Sequence, residues 1–210
     1  MGIKLRSVRK SYKNKNLLSG VSADIKDGEF VVITSDNEDL GTALLRILGG
    51  VEKATSGAIT LSGYDIEDFN EKERADFYRN SVCLIDKDRF LQPKLNVRNN
   101  ISLPGMFSSL SKKDLAKRIE TLSKKYKVSK LLKAKVSQLN PEQIERIVVA
   151  RALFMNPKII LIDKPSDIII ECISEYLKEN EVITIVSSND ESIKKLASQV
   201  IVIKDGKAVK

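Results

Sequence analysis

The chain contains no histidine and only two cysteines in its 210 residues. Cys83 and Cys172 lie far apart and outside any CxxC spacing, so the sequence indicates neither a disulfide framework nor a zinc site. The absence of histidine also removes the most frequent metal ligand. Two unlinked cysteines are typical of a protein from a reducing compartment, and we therefore expect a cytoplasmic location.

The chain also lacks long apolar runs. None approaches the roughly 18 residues that a helix needs to span a bilayer, and the opening segment MGIKLRSVRK has no apolar stretch of the kind found in a secretory signal. We therefore expect any membrane contact to come through a partner. No internal repeat or low-complexity linker divides the chain, and its hydrophobic content of 42% argues against disorder.

The net charge is +8, from 36 lysines and arginines against 28 acids. Such a balance is compatible with nucleic-acid binding, with contact to an anionic membrane surface or with a lysine-rich solvated exterior. The KK and KR pairs are scattered and interleaved with acids, which favours the solvated exterior. We therefore expect no nucleic-acid partner.

Short β-rich segments alternate with helical ones, which predicts an α/β fold with a largely parallel sheet. The predicted strands are IKLRSV, VSADI, FVVITS, AITLSG, SVCLID, KIILID, VITIVS and QVIVIK. The first 30 residues hold strands without an intervening helix, and residues 58–62 add another strand. These strands predict an antiparallel β layer beside the parallel core.

The middle of the chain is rich in lysine, leucine and serine, with apolar residues at helical spacing. Ser111, followed by Asp114, is typical of the cap of a long helix. We expect one domain over residues 1–210. Its β layer and core occupy residues 1–89 and 146–210, and a helical subdomain occupies residues from about 90 to 145.

Residues 139–153, LNPEQIERIVVARAL, resemble the signature helix LSGGEQQRVAIARAL of the ABC-transporter ATPases. Residues 156–166, NPKIILIDKPS, are similar to the Walker B strand of that family, NPKIILADEPT. The stretch GGVEKATSGAITLSG and the closing segment VSSNDESIKKLASQVIVIKDGK follow the same family, so the resemblance covers essentially the whole chain. It implies a P-loop NTPase-like core, and it is closest to the lipoprotein-releasing, macrolide-export and peptide-resistance group.

The resemblance implies ATP and Mg²⁺ as ligands, but the phosphate loop differs from the family pattern. A Walker A loop, GxxxxGK[ST], turns backbone N–H groups toward phosphates, its lysine neutralises them and its hydroxyl holds magnesium. The matching positions are Ser35, Asp36, Asn37, Glu38, Asp39, Leu40, Gly41, Thr42 and Ala43. Asp36, Glu38 and Asp39 place three carboxylates in this loop. Gly41 replaces the lysine, whereas Thr42 keeps the hydroxyl that holds magnesium.

These acids repel a polyphosphate. Two unit charges about 4 Å apart repel by about 1 kcal/mol in water, and by about 4 kcal/mol at an effective dielectric constant of 20. The same polar side chains can instead cap the helix that follows, because a helix N-terminus presents unpaired N–H groups and a positive dipole end. We therefore expect a capped helix in place of an open phosphate site, and no bound cofactor.

Other positions that match catalytic residues of the family also differ. Lys87 stands at the Q-loop glutamine, Lys164 at the catalytic glutamate and Asn189 at the switch histidine. Lys87 cannot ligate a cation, and Lys164 cannot act as a base at neutral pH unless its pKa is strongly shifted. Asp163 is retained, either as a magnesium ligand or as an acceptor for backbone donors at a strand end. Tyr12 matches an adenine-stacking aromatic residue, or it serves packing alone.

The signature sequence keeps Leu139 and Gln143, whereas Asn140, Pro141 and Glu142 replace Ser-Gly-Gly. Asn140 can still cap the helix, and proline suits the first helical turn. Glu142 brings negative charge toward the phosphate that, in the family, the opposite subunit holds.

The sequence predicts a catalytically degenerate ABC cassette that serves as a structural and docking half. Its partners are expected to be a membrane permease and either a second copy or an active ATPase, at the inner face of the cell membrane. The docking surface is expected between Lys87 and Pro104. That segment contains Leu91, Pro93, Leu95, Val97 and Leu103, although core packing explains part of this set.

Two alternatives stay open. One is a weak ATPase with a rearranged, metal-assisted site, in which Asp163 and the loop acids hold a divalent cation. The other is a cytosolic regulatory or nucleic-acid-binding module on the same fold, which the charge of +8 allows.

Overall fold

The computed structural model describes residues 2–13, 15–88 and 90–209. The strands in these ranges are β1 (Gly2–Tyr12), β2 (Lys15–Lys26), β3 (Phe30–Ser35), β4 (Ser56–Leu61), β5 (Tyr64–Asp65), β6 (Val82–Ile85), β7 (Ile159–Asp163), β8 (Ile183–Ser187), β9 (Gln199–Lys204) and β10 (Lys207–Val209). The helices are α1 (Glu38–Leu48), α2 (Glu71–Ser81), α3 (Val97–Ser102), α4 (Lys112–Lys125), α5 (Pro141–Ala152), α6 (Asp167–Leu177) and α7 (Glu191–Lys194). No helix in the described ranges is long and apolar enough to cross a membrane.

The strands form two sheets. The larger has the order β10-β9-β3-β8-β7-β6, and its neighbours are parallel except for the β9–β10 hairpin. The smaller has the order β2-β1-β4-β5 and is antiparallel. The predicted α/β fold, with a largely parallel sheet beside an antiparallel β layer, is confirmed.

Two hydrophobic layers lie on opposite faces of the parallel sheet, and successive side chains of strands such as β3 contribute to one layer and then the other. Val31 and Ile33 of β3 pack with α1 and the antiparallel sheet, whereas Val32 packs with the helices on the opposite face. Both faces are covered, which explains why these strands are almost continuously apolar. Each fully buried Val, Leu or Ile contributes about 1.5–3 kcal/mol to the free energy of unfolding.

Helices α3, α4 and α5 lie in the segment for which a helical subdomain was expected. Ser111 caps α4, as predicted, because its hydroxyl accepts a hydrogen bond from the backbone N–H of Asp114 at 3.2 Å. The expected boundary at residue 145 falls inside α5. Buried residues Ile147 and Val148 of this helix belong to the same apolar cluster as Ile160 of the central sheet.

The carboxyl ends of β3, β7 and β8 lie side by side at one edge of the parallel sheet. Ser35, Asp163 and Ser187 end these three strands. Helix α1 begins directly beyond Ser35, so its N-terminus lies at the same edge. Ligands of open parallel α/β sheets bind at this kind of edge, and the fold therefore brings the candidate site together here.

Candidate functional site

The segment between β3 and α1 is capped by its own side chains. Asn37 is the N-cap residue, and its side-chain oxygen accepts a hydrogen bond from the N–H of Asp39 at 3.0 Å. The hydroxyl of Ser35 donates to the carbonyl of Asn37 at 2.7 Å. Glu38 and Asp39 occupy the first turn, where negative charge is favourable toward the helix dipole. The predicted capping of α1 by the loop itself is confirmed at Asn37.

The remaining positions of this loop divide between solvent and core. Asp36 is exposed, whereas Leu40 and Ala43 are buried on the face of α1 that packs against the two sheets. Leu40 stands at a glycine of the Walker A pattern, and Gly41 stands at its lysine. Both residues are buried and contribute to the packing of α1.

Glu38 forms an ion pair with Lys164, which follows β7 directly. The hydrogen bond from the Lys164 ammonium lowers the pKa of the Glu38 carboxyl. The same hydrogen bond raises the pKa of Lys164. Lys164 therefore stays protonated at neutral pH, which is opposite to the shift that a general base would need.

Gly41 lies in close contact with β8. A Cβ atom at position 41 would lie 2.2 Å from the Oγ of Ser187 and 3.1 Å from its Cβ. Any larger residue there, including lysine, requires Ser187 to move. Glycine at this position thus permits close packing of the helix on the strand, a role that no sequence pattern indicated.

Thr42 and Asp163 contact each other at the centre of the sheet edge. The Thr42 hydroxyl donates to Oδ2 of Asp163 at 2.9 Å. Asp163 is only 2% exposed, and among the described residues its Oδ1 atom has no hydrogen-bond partner. Burial raises the pKa of Asp163, which the hydrogen bond from Thr42 partly offsets. The hydrogen bond that Asp163 accepts comes from a hydroxyl, and no backbone donor of the described residues reaches its Oδ1 atom, as the second of the two alternatives would require.

Lys87 is exposed near this pair, and its positive charge opposes the rise in the pKa of Asp163 and adds to the lowering of the pKa of Glu38. In the described ranges, no group of three or more histidine, cysteine, aspartate or glutamate side chains is placed to hold a metal ion. Thr42 and Asp163 therefore offer one hydroxyl and one carboxylate as oxygen donors.

Asn189 connects two neighbouring strand ends. Its side-chain oxygen accepts from the N–H of Ser35 at 3.1 Å, and its side-chain nitrogen donates to the carbonyl of Ser35 at 2.9 Å. The residue at the switch-histidine position is thus fully engaged with the backbone of β3. Sequence patterns could not indicate this contact, because the two residues are 154 positions apart.

A cavity of about 250 Å³ lies beside these residues. Its wall consists of Ile33, Ser35, Glu38, Lys164, Pro165, Ser187, Ser188, Asn189 and Asp190. The ammonium of Lys164 is already paired with Glu38, and Asp190 adds another carboxylate. A nucleoside triphosphate needs cations and open backbone N–H groups. This wall provides two carboxylates, three serine hydroxyls, an ammonium in an ion pair and an amide that is bonded to the backbone of Ser35. The residues present therefore do not fit a Mg²⁺-bound triphosphate.

Tyr12 belongs to a charged cluster that sequence analysis did not find. Its hydroxyl donates to Glu52, which also contacts Lys10 at 3.1 Å and Arg46 at 2.7 Å. Burial and the hydrogen bond to Glu52 raise the pKa of Tyr12 to about 12. Although burial opposes ionisation of Glu52, hydrogen bonds from its three neighbours hold its pKa at about 2.

The ring of Tyr12 is 45% exposed, and the ammonium of Lys10 lies 4.7 Å from its centroid. One face of the ring is therefore engaged in a cation–π contact. Tyr12 has contacts beyond simple packing, although their partners belong to its own chain.

The signature helix α5 is capped as predicted. Asn140 accepts from the N–H of Gln143 at 2.9 Å, and the Gln143 side chain accepts from the N–H of Asn140 at 3.1 Å, while Pro141 is the first helical residue. Glu142 forms an ion pair with Arg146 at 2.9 Å. Its charge, which we expected to face a partner, is partly balanced within the helix. Leu139, which precedes the cap, is half-buried.

The apolar residues of the expected docking segment divide between core and surface, and core packing explains part of the set, as expected. Leu91 and Val97 are buried in the core, because they pack with α5 and the neighbouring helices. Leu95 and Leu103 are half-buried, and Pro93 is exposed. Leu91 and Val97 therefore contribute to the core of the protein.

Other apolar side chains of this region reach solvent. Phe90 is 60% exposed and Phe107 is 72% exposed. Together with Leu103, Pro104 and Met155 they line a cavity of about 480 Å³ beside β6 and the end of α5. This surface is called the Phe90/Phe107 groove below.

The sequence profile of the ABC transporter family matches residues 18–167, and the chain belongs to this family. Family membership implies ATP and Mg²⁺ as ligands and a role as the ATP-binding subunit of a transporter. The chain is 34% identical over 166 residues to the lipoprotein-releasing system ATP-binding protein LolD of Porphyromonas gingivalis, and the match covers 79% of this chain and 76% of the relative.

Two further comparisons cover nearly the whole chain. The uncharacterized ABC transporter ATP-binding protein YknY of Bacillus subtilis is 28% identical over 219 residues, covering 99% of this chain and 95% of the relative. The ATP-binding cassette MJ0796, solved as a post-hydrolysis dimer bound to ADP and Pi, superimposes with a TM-score of 0.89 at 26% identity, covering 99% of this chain and 97% of that one. The predicted ABC ATPase fold is confirmed.

Proposed function

We propose that this cassette is a catalytically inactive subunit of an ABC transporter that acts as a structural and docking half for a membrane permease. The observation that carries the proposal is the ion pair between Glu38 and Lys164. It places a carboxylate at the phosphate loop and a cation at the position of the catalytic carboxylate. The charges of the site are thus opposite to those that phosphate binding and water activation need.

Phosphate binding is weakened by two further features. Gly41 supplies no ammonium, and its contact with Ser187 leaves no room for a side chain at that position. Asn37 and the acids of the first turn already satisfy the N-terminus of α1. The helix end therefore has little remaining attraction for an anion.

Water activation has no suitable group either. Lys164 remains protonated because its partner raises its pKa, and Asn189 is held by the backbone of Ser35. Thr42 and Asp163 supply a hydroxyl and a carboxylate oxygen, which are the kinds of ligand atom that magnesium takes. This pair favours the second candidate function, a weak metal-assisted nucleotide-binding subunit.

The test is Mg²⁺-dependent ATP hydrolysis by the purified chain. We expect no turnover above background, and none after Lys164→Glu, because the differences extend over phosphate binding and water activation. Asp163→Ala serves as the matched control. Hydrolysis by the parent chain that disappears in Asp163→Ala would contradict the proposal and support the second candidate.

The docking role is supported by the Phe90/Phe107 groove and by the relatives. Two aromatic side chains exposed beside one cavity are uncommon on a surface without a partner. LolD is a component of a lipoprotein-releasing system, and MJ0796 forms dimers. We assign the groove to a permease segment. The cassette is completed as a pair, either by a second copy or by an active ATPase.

Co-purification with the permease tests the docking role. Phe107→Asp should abolish it, since burial of a charge in an apolar contact is costly. Leu196→Asp is the control, because Leu196 is 52% exposed and does not line the groove. Both variants should keep the free energy of unfolding within about 0.5 kcal/mol of the parent. Normal co-purification of Phe107→Asp would show that the permease binds elsewhere.

A further inference from the structure

The positive charge of the chain is concentrated in one segment. Residues 112–135 contain ten lysines and arginines but only two acids, Asp114 and Glu120, so this segment alone carries the net charge of +8. The rest of the chain has equal numbers of basic and acidic residues. The expectation of scattered, balanced charges is therefore wrong for this segment.

Three of the ten basic side chains have structural partners. Arg118 donates to the carbonyl of Phe154 at 2.6 Å, Lys124 pairs with Glu120 at 2.7 Å, and Lys125 pairs with Glu179 at 2.7 Å. The other seven are exposed and form no ion pair within the described ranges. They are Lys112, Lys113, Lys117, Lys127, Lys130, Lys133 and Lys135.

A groove of about 820 Å³ lies between α3, α4 and the turn that follows α4, and two of these seven lysines are part of its wall. Lys113 and Lys117 line it together with Arg98 of α3. Glu120 is paired with Lys124, and Asp114, which accepts from the Ser111 hydroxyl at 2.6 Å, is the one other carboxylate of the groove wall. The groove and the seven lysines, called the lysine surface below, therefore carry an excess of positive charge.

We propose that the lysine surface binds the anionic phospholipid headgroups of the cytoplasmic leaflet. Lysine ammonium groups are compact and hydrated, and clusters of them bind anionic bilayers without a fixed geometry. Nucleic-acid surfaces favour arginine forks and exposed aromatic rings. Here the segment has nine lysines to one arginine, and its single aromatic residue, Tyr126, is buried.

The position of the lysine surface agrees with this assignment. Helix α4 begins shortly after Phe107 of the Phe90/Phe107 groove, so the two surfaces are neighbours along the chain. The inference rests on the proposed function, because permease docking brings the chain to the leaflet. The two are tested separately, since lipid vesicles contain no permease.

The test is sedimentation of the full chain with vesicles of equimolar phosphatidylglycerol and phosphatidylcholine, compared with pure phosphatidylcholine. Each lysine near an anionic leaflet increases partitioning by about fivefold. The triple variant Lys113→Gln, Lys117→Gln, Lys130→Gln should therefore bind about a hundredfold more weakly. The matched control Lys4→Gln, Lys26→Gln, Lys207→Gln removes the same charge from exposed positions of the β strands and should bind as the parent does.

The proposal is supported if binding to anionic vesicles falls with added salt, is lost in the triple variant and is kept in the control. Equal binding to both vesicle types, or equal loss in the two triple variants, overturns it. Tighter binding to a DNA or RNA duplex than to anionic vesicles at the same salt concentration also overturns it and assigns the surface to nucleic acid. Melting temperatures no lower than that of the parent chain verify that both variants are folded.

Discussion

At the scale of single residues, three of the positions that differ from the catalytic pattern of the family make a specific contact within the fold. Glu38 pairs with Lys164, Gly41 packs on Ser187, and Asn189 holds the backbone of Ser35. Each of these contacts therefore contributes to the stability of the fold. Replacing one member of a pair changes an interaction as well as a chemical group.

Exchange of charges tests the Glu38–Lys164 pair. Lys164→Glu places two carboxylates side by side and should lower the melting temperature. The double variant Glu38→Lys, Lys164→Glu restores opposite charges and should recover most of that loss. Thermal unfolding of the parent, both single variants and the double variant gives the coupling. Strictly additive shifts would mean that the two side chains do not interact in solution.

Glu52 should determine part of the acid sensitivity of the protein. Its pKa is about 2 in the folded chain against an ordinary value of 4.5. Because the folded state favours the ionised form, Glu52 stabilises the fold above about pH 4.5, and this contribution is lost as the pH falls toward 2. Glu52→Gln should be less stable at neutral pH and should lose less stability on acidification.

Denaturant unfolding at pH 7 and at pH 3 measures this difference. The exposed residue Glu67 provides the control variant Glu67→Gln, which should keep the parental pH dependence. An acid response of Glu52→Gln that matches the parent would argue against a role for this cluster.

At the scale of elements, α1 and β8 approach each other more closely than a side chain at position 41 allows. Alanine favours a helix over glycine by about 1 kcal/mol, so Gly41→Ala would stabilise a freely exposed helix. Here its Cβ meets Ser187, and overpacking of this kind costs about 1–3 kcal/mol. We expect Gly41→Ala to lower the free energy of unfolding.

The same substitution in a Ser187→Gly background should raise the free energy of unfolding, because the obstructing side chain is gone. Urea denaturation of the four proteins of this cycle measures both signs. The same sign of effect in the two backgrounds would exclude the contact as the cause.

The elements that sequence patterns predict well are those determined locally. Strands β3 and β9 have the bounds expected of FVVITS and QVIVIK, because each is a short apolar run between turn residues. The second half of β1 was missed. Ser7 has a positive φ of 48°, and the register shifts there, which breaks the alternation that marks a strand.

The same distinction holds for the candidate site. The cap at Asn37 depends on its immediate neighbours and could be predicted. The Glu38–Lys164 pair joins residues 126 positions apart, and the contact of Gly41 with Ser187 depends on how a helix packs on a strand. No local pattern contains such information.

At the scale of the whole molecule, the charge distribution is asymmetric, since residues 112–135 carry the entire net charge. Unpaired like charges in one segment repel each other, and salt screens this repulsion over about 10 Å at 0.1 M ionic strength. Added salt should therefore raise the melting temperature of the parent chain.

The triple variant Lys113→Gln, Lys117→Gln, Lys130→Gln should show a smaller salt effect and a higher melting temperature at low ionic strength. Scanning calorimetry over a salt series provides the comparison. Equal salt responses in the parent and the variant would mean that these lysines are too far apart to repel.

The contact between Gly41 and Ser187 has a consequence for the substitutions that the chain can accept one at a time. A lysine at position 41 requires Ser187 to move, and a glutamate at position 164 lies beside Glu38. Each single substitution toward the family pattern is therefore expected to lower stability. Selection against destabilised proteins would remove such substitutions, so we expect the present site to persist.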